Sequence, residues 1–213
     1  MKEKWDLYDV NRNKTGLTWI RGMAIPKGYY HLVVSVWIQN DRGEYLLSRR
    51  HPNKQYPLCW ECTGGSVLAG EDSLIGAVRE VKEELGIILN PAKGRRISQT
   101  CREKTQDLYD VWAFHENIDI SDIILQETEV IDVKWVTKRG LIRMAQNGEL
   151  HPLLDIGNVD VYKRQILMKM KKSFLNYRLW ILHLKHIPLR LRCHGLSVSV
   201  ELMDSMNLGT GLL

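Results

Sequence analysis

The chain lacks any long apolar run. No stretch approaches the roughly 18 uninterrupted apolar residues of a membrane-spanning helix, and the opening MKEKWDLYDV is charged, without the apolar core of a secretory signal. These absences lead to the expectation of a cytoplasmic protein that does not work at a membrane. Cysteine is scarce as well. Cys59, Cys62, Cys101 and Cys193 in 213 residues do not make a disulfide framework. Cys59-x2-Cys62 is half a zinc clip with no second pair of ligands at a suitable spacing, so these thiols read as free and buried or half-buried. Also missing is an excess of charge over most of the chain. Residues 166–213 hold seven Lys or Arg against two acids and so carry the whole net charge of +5, while residues 1–165 hold 23 of each sign. A nucleic-acid partner is therefore not expected.

What is present concentrates in Gly65–Ile87, GSVLAGEDSLIGAVREVKEELGI. Asp72 or Ser73 offers an N-cap, Gly86 a left-handed stop, and Leu74, Val78, Val81 and Leu85 repeat at the spacing of a buried helical stripe. A Gly64-Gly65 turn and loop followed by one amphipathic helix is expected. Glu80, Glu83 and Glu84 stand at i, i+3 and i+4, which puts three carboxylates on one face, read as opposite the apolar stripe. Like charges at this spacing repel by about 0.2–0.5 kcal/mol per exposed pair, and more when packed against a domain. A divalent cation relieves that repulsion, and an all-oxygen ligand set favours Mg²⁺, or Mn²⁺, over zinc.

The run fits G-x5-E-x7-R-E-U-x-E-E-x-G-U, with U a bulky aliphatic, through Gly65, Glu71, Arg79, Glu80, Val81, Glu83, Glu84, Gly86 and Ile87. It resembles the Nudix box, complete at every specified position. The resemblance implies an α/β/α sandwich around a central mixed β-sheet and Mg²⁺-dependent hydrolysis of a diphosphate linkage in a nucleoside diphosphate derivative or related small molecule. It implies Gly65 (through its carbonyl), Glu80, Glu83 and Glu84 as metal ligands. The base is Glu83, Glu84 or a loop carboxylate, with Glu127 and Glu129 as the loop candidates. Arg79 orients a box glutamate and Glu71 supports the loop and helix start; Arg50 and Arg79 are the candidate substrate-binding cations. Homodimers are common among such proteins.

A narrower resemblance, over roughly residues 5–155, is to the Nudix branch related to isopentenyl-diphosphate isomerase, through WDLYD, YYHLVVSVWIQNDRGEYLLSRR and the box context. In that isomerase a histidine at the site matched by His31 binds metal, a cysteine precedes the box glycine and a histidine follows it. Here Gly64 and Ser66 hold the latter two positions. Without the cysteine an isomerase lacks its proton donor, so hydrolysis is expected ahead of an isomerase or a non-catalytic nucleotide-binding module. His31 is then either a packed strand-start histidine or a metal ligand, and Asp107 sits near the place of acidic ligands.

The order of elements agrees with the sandwich. Residues 5–31 suggest a short strand or hairpin arm, Leu32–Gln39 a strand buried on both faces, Asn40–Gly43 a turn and Glu44–Arg49 its partner. A polar loop, Arg50–Leu58, suits substrate recognition. Further strands are expected at Arg96–Glu103, Asp107–Phe114 and Val130–Val136, the last alternating through Ile131, Val133 and Trp135, then a helix from Thr137 that Asn147-Gly148 ends. Trp37, Trp60, Trp112 and Tyr109 are core aromatics or base-stacking groups. The domain is expected to span 1–160. Beyond it, Asp160–Gln165 reads DVYKRQ, the translation of GATGTGTATAAGAGACAG, which resembles the mosaic-end adaptor of transposase-based sequencing libraries. Residues 161–213 are therefore expected to be a chimeric or frame-shifted basic tail, with a helical run over Ile166–His186 and no clear pattern after Pro188.

Overall fold

The computed structural model describes residues 2–154, 156–157, 189–194 and 197–202. The chain divides into two compact units, 1–163 and 164–213. DVYKRQ and the run 166–186 lie outside the described residues, and with them the expectations of a chimeric junction and a tail helix. The last two strands, Leu189–His194 and Ser197–Leu202, form an antiparallel hairpin with Leu189 opposite Leu202. This corrects the expectation of no pattern there: LRLRCH and SVSVEL alternate with the period of two that a strand needs.

In the first unit a hairpin of β1 (Lys4–Tyr8) and β2 (Lys14–Ile20) precedes β3 (His31–Gln39), β4 (Glu44–Arg50), β5 (Trp60–Glu61) and β6 (Thr63–Ser66). Helix α1 (Ser73–Leu85), β7 (Arg95–Arg102), β8 (Asp107–His115), β9 (Val130–Thr137) and α2 (Lys138–Gln146) complete it. The β-branched run of β3 is the centre of the sheet, as its burial on both faces predicts. It runs parallel to β8, from His31 opposite Asp107 to Gln39 opposite His115, and antiparallel to β6 on its other side. Asn40 closes the β3–β4 turn by accepting from the Glu44 amide, at 3.0 Å. The two strands then meet only at Gln39 and Tyr45 and diverge. As a result β4 joins β5 and β9 in a second arm of the same sheet.

Asp72 caps α1 by accepting from Leu74 and Ile75 at 2.9 and 2.8 Å, and Gly86 ends it in the left-handed region at φ 69°. The helix packs on the sheet through Ala77, Val81 and Leu85 against Val34, Val36, Val67 and Leu108. Full burial of Val81 and Leu85 contributes about 1.5–3 kcal/mol each. Leu74 and Val78, expected in the stripe, are only partly buried, because the buried face is rotated toward Ala77. That rotation brings Glu84 into the buried set. The carboxylates therefore flank the apolar stripe instead of opposing it.

On the other face Trp37 meets Tyr45 edge to face, with ring centroids 5.7 Å apart. Val136 pairs with Tyr45, and Gly140 of α2 lies against Val136. Helices on both faces of a mixed sheet make the expected sandwich.

Two local expectations are corrected. Gly64 and Gly65 lie in β6, paired with Ser35 and Val34, and not in a turn. A Cβ at Gly64 would stand 2.3 Å from the Val34 carbonyl oxygen, so close approach, not backbone freedom, requires the glycine. In β9 the register shifts where Arg49 opposes Asp132 and Arg50 opposes Val130. Ile131 is thereby turned out, 39% exposed, while Val130 and Val136 are buried.

The carbonyls at the end of α1 are also answered. Gln126 donates its amide to the Glu84 carbonyl at 3.0 Å and Ile124 to that of Leu85 at 3.1 Å.

Candidate active site

Arg79 is the hub of the box. Its Nε and Nη2 donate to the two oxygens of Glu71 at 2.8 and 3.0 Å, and Nη2 also donates to the Ser66 carbonyl at 3.0 Å. Nη1 donates to Glu80 at 3.0 Å and to Glu83 at 2.8 Å. Glu71 in turn accepts from the Leu68 amide at 3.0 Å, which fixes the loop before the helix. One guanidinium therefore orients two of the three helix glutamates and ties them to the β6–α1 loop. Burial works against the Arg79 charge, but the hydrogen bonds with Glu71 and the charge of Glu80 outweigh it and raise its pKa.

Glu80 lies over Gly65. A Cβ there would sit 2.5 Å from the Glu80 carboxylate, so only glycine leaves room. Burial raises the Glu80 pKa, and Arg79 partly offsets this. Glu83, at the rim, is half exposed.

Glu84 differs from both. It is 5% exposed, and burial pushes its carboxyl up to about 8, with the neighbouring Glu61, Glu80 and Glu129 adding to the effect and Lys54 opposing it. Its facing cation is Lys54, whose Nζ stands 3.5 Å from Glu84 Oε1 and 2.6 Å from Glu129 Oε2. Glu129 is thus brought to the helix glutamates. Glu127 is exposed and lines a separate surface cavity with His51, Ile124 and Ile131.

Arg50 Nη1 pairs with Glu61 at 2.6 Å, and Nε donates to the Gln55 carbonyl at 2.9 Å, so it holds the loop after β4. Burial raises the Glu61 pKa, and Arg50 pulls it back. Lys54 and Glu61 are the polar residues that sequence reasoning missed. A lysine in a polar loop and a glutamate on a two-residue strand carry no periodic signal, and only the long-range packing of the two loops brings them together.

His31 is buried and stacks on Trp5, with ring centroids 4.1 Å apart and planes 15° off parallel. Its Nδ1 has no hydrogen-bond partner, and burial lowers its pKa to about 4. These surroundings are those of a packed strand-start histidine. Asp107, its neighbour across the β3–β8 register, accepts from Arg102 Nε at 2.6 Å. Of the aromatics, Trp37 is core, and Trp112 donates to the Ser73 hydroxyl at 2.8 Å under the start of α1. Trp60 is buried with the Lys134 ammonium 3.8 Å from its ring centroid. Tyr109 carries the Arg102 guanidinium at 4.0 Å from its ring centroid. Cys59, Cys62 and Cys101 are free thiols, and burial pushes Cys62 up to about 12 while it bonds the Ser35 hydroxyl at 2.8 Å.

Among the described residues no three His, Cys, Asp or Glu side chains converge in ligand geometry, because Arg79 and Lys54 occupy the carboxylates. The donors nonetheless fit a hard divalent cation. All are oxygens, and Glu84 is a desolvated carboxylate whose facing ammonium stands at the long distance of 3.5 Å. No helix among the described residues is long and apolar enough to cross a membrane.

A family model described as the NUDIX domain matches residues 29–154, more than half of the chain. An uncharacterized Nudix hydrolase of Listeria monocytogenes is 39% identical over 152 residues, which are 70% of this chain and 89% of that protein. One from Listeria innocua is 40% identical over 152 residues, with the same 70% and 89% shares. A crystal structure from Deinococcus radiodurans matches with a TM-score of 0.58 at 21% identity, over 76% of this chain and 98% of that one, a likeness of fold. With the box complete in sequence and gathered around Arg79 in space, the chain belongs to the Nudix family and is a pyrophosphohydrolase of that family.

Proposed function

We propose that residues 1–160 form a cytoplasmic hydrolase that uses Mg²⁺, with Mn²⁺ as a substitute, to cleave the diphosphate linkage of a nucleoside diphosphate derivative or a related organic pyrophosphate. The observation that carries this reading is Glu84, a buried carboxylate one helical turn from Glu80, facing Glu129 across a single ammonium. Glu80, Glu83, Glu84 and the Gly65 carbonyl would hold the cation. When bound, it neutralises the phosphate oxygens and acidifies water near them. Arg79 keeps Glu80 and Glu83 pointed into the site through the substrate's arrival and departure. Glu129, on the loop before β9, accepts the proton of the attacking water as the new P–O bond forms and the bridging P–O bond breaks. Arg50, at the end of β4 and paired with Glu61 at 2.6 Å, is the second candidate cation for the diphosphate beside Arg79.

The likeness to the isopentenyl-diphosphate isomerase branch is read as shared ancestry without shared chemistry. A side chain at position 64 would strike the Val34 carbonyl, so the isomerase cysteine has no room here. Cys62, two residues earlier, is buried and bonded to Ser35.

The test uses the full chain and residues 1–160 side by side with Mg²⁺, against nucleotide sugars, dinucleoside polyphosphates, dinucleotides and nucleoside triphosphates. Released phosphate products are the readout. Turnover that chelator abolishes supports the reading. Silence from folded, metal-binding protein moves it to a non-catalytic nucleotide-binding module.

A further inference from the structure

We propose that Lys54 is an internal counter-cation: its ammonium stands between Glu84 and Glu129 where a divalent cation would bind, and that ion must displace it to reach Glu84. This deepens the functional reading above and rests on it.

Two cations touch the box glutamates, and their anchoring differs. Arg79 has four acceptors, of which Glu71 and the Ser66 carbonyl lie outside the metal-binding set, so it keeps its place whatever happens to Glu80 and Glu83. Among the described residues the Lys54 ammonium has only carboxylate partners, Glu129 at 2.6 Å and Glu84 at 3.5 Å. It is a flexible stem with one point charge, carried on the loop that follows β4. That loop is fixed by its ends and not by Lys54. The His51 amide donates to the Glu129 carbonyl at 2.9 Å, and the Leu58 amide to the Arg50 carbonyl at 3.3 Å. The ammonium can therefore leave while the loop stays.

Glu84 explains why a protein would keep such a lysine. A carboxylate 5% exposed is costly to leave without a partner, and before the metal arrives the Lys54 ammonium is the cation facing it. An ammonium cannot approach Glu84 at short range while it holds Glu129 at 2.6 Å, so the pairing is a compromise that a smaller, doubly charged ion improves upon. Binding is then an exchange of cations, and the site never holds its carboxylates bare.

The test titrates Mn²⁺ into chelator-treated full-length protein and follows bound ion by electron paramagnetic resonance. In Lys54→Met the ion has no ammonium to displace, so the variant is expected to bind Mn²⁺ about tenfold more tightly at the alkaline end of a series from about pH 7 to 8.5, where proton competition for the carboxylates is least. Lys54→Arg, which keeps the charge, is expected to stay close to the wild-type value. A second measurement needs no variant. Amine acetylation of the wild-type chain, read by peptide mass spectrometry, is expected to rise at Lys54 when Mn²⁺ is added and to stay constant at Lys93, whose partner is the distant Glu116. Unchanged or weaker Mn²⁺ affinity in Lys54→Met, with wild-type binding intact, overturns the proposal and leaves the metal reading standing; so does constant labelling of Lys54. A wild-type chain that binds no Mn²⁺ overturns both.

Discussion

Replacing His31 by phenylalanine separates the two roles that its position allows. The ring stacks on Trp5 and its Nδ1 makes no hydrogen bond, so phenylalanine keeps the stacking and removes an unsatisfied polar atom. The pH dependence carries the sharper signal. In the folded chain burial holds the His31 pKa down at about 4 against an ordinary 6.5, while Asp107 beside it resists. Between those values the unfolded chain binds a proton that the folded chain refuses, so stability falls as pH drops from 6.5 and the loss is complete below about 4. The separation corresponds to at most about 3 kcal/mol, or about 6–12 °C in Tm for a domain of this size. His151, also lowered to about 4 by burial, contributes to the same acid limb, so the comparison has to be between His31→Phe and wild type at each pH. Thermal unfolding in chelator at pH 7.5, 6, 5 and 4 is the assay. The variant is expected to match or exceed wild type at pH 7.5, to lose less Tm on acidification, and to keep turnover. A variant with the same acid limb as wild type refutes the pH argument, and one that folds normally but loses Mn²⁺ affinity and activity makes His31 a ligand.

Two further outcomes follow from the box. Glu83→Gln and Glu84→Gln are each expected to lower kcat by about 10²–10⁴-fold with far-UV circular dichroism unchanged, and near-normal rates in both would remove α1 from the chemistry. Gly65→Ala drives a Cβ to 2.5 Å from the Glu80 carboxylate, so Mn²⁺ affinity should fall as Glu80 is pushed aside; calorimetric titration showing wild-type affinity would mean that Glu80 is not a ligand.

The box was legible because its spacings are local. A helix period, a cap at Asp72 and a stop at Gly86 are decided within a few turns of chain, and the structure has all three. The strands around it were legible for the same reason, from the apolar run of β3 to the Thr137 cap of α2. Where two elements had to be brought together, the sequence was silent. Gly64 looks like a turn glycine until the Val34 carbonyl is seen against it, and Ile131 looks like a core position until the bulge opposite Arg49 and Arg50 turns it out. Burial of Glu84 depended on how far α1 rolls on the sheet, and the missing side chain of Gly76 lets the helix close on Val67. Lys54 met Glu84 and Glu129 only because two loops, some 75 residues apart in sequence, are bonded at His51 and Glu129.

The amides of Ile124 and Gln126 lie on the last carbonyls of α1, so the segment leading to Glu129 is leashed to the helix that presents Glu84. The two bonds are made by backbone, while Leu125 between them packs on the core and Ile124 lies against Gly86. A change at Leu125 or Gly86 would therefore shift Glu129 relative to Glu84, although neither residue is among the candidate metal ligands.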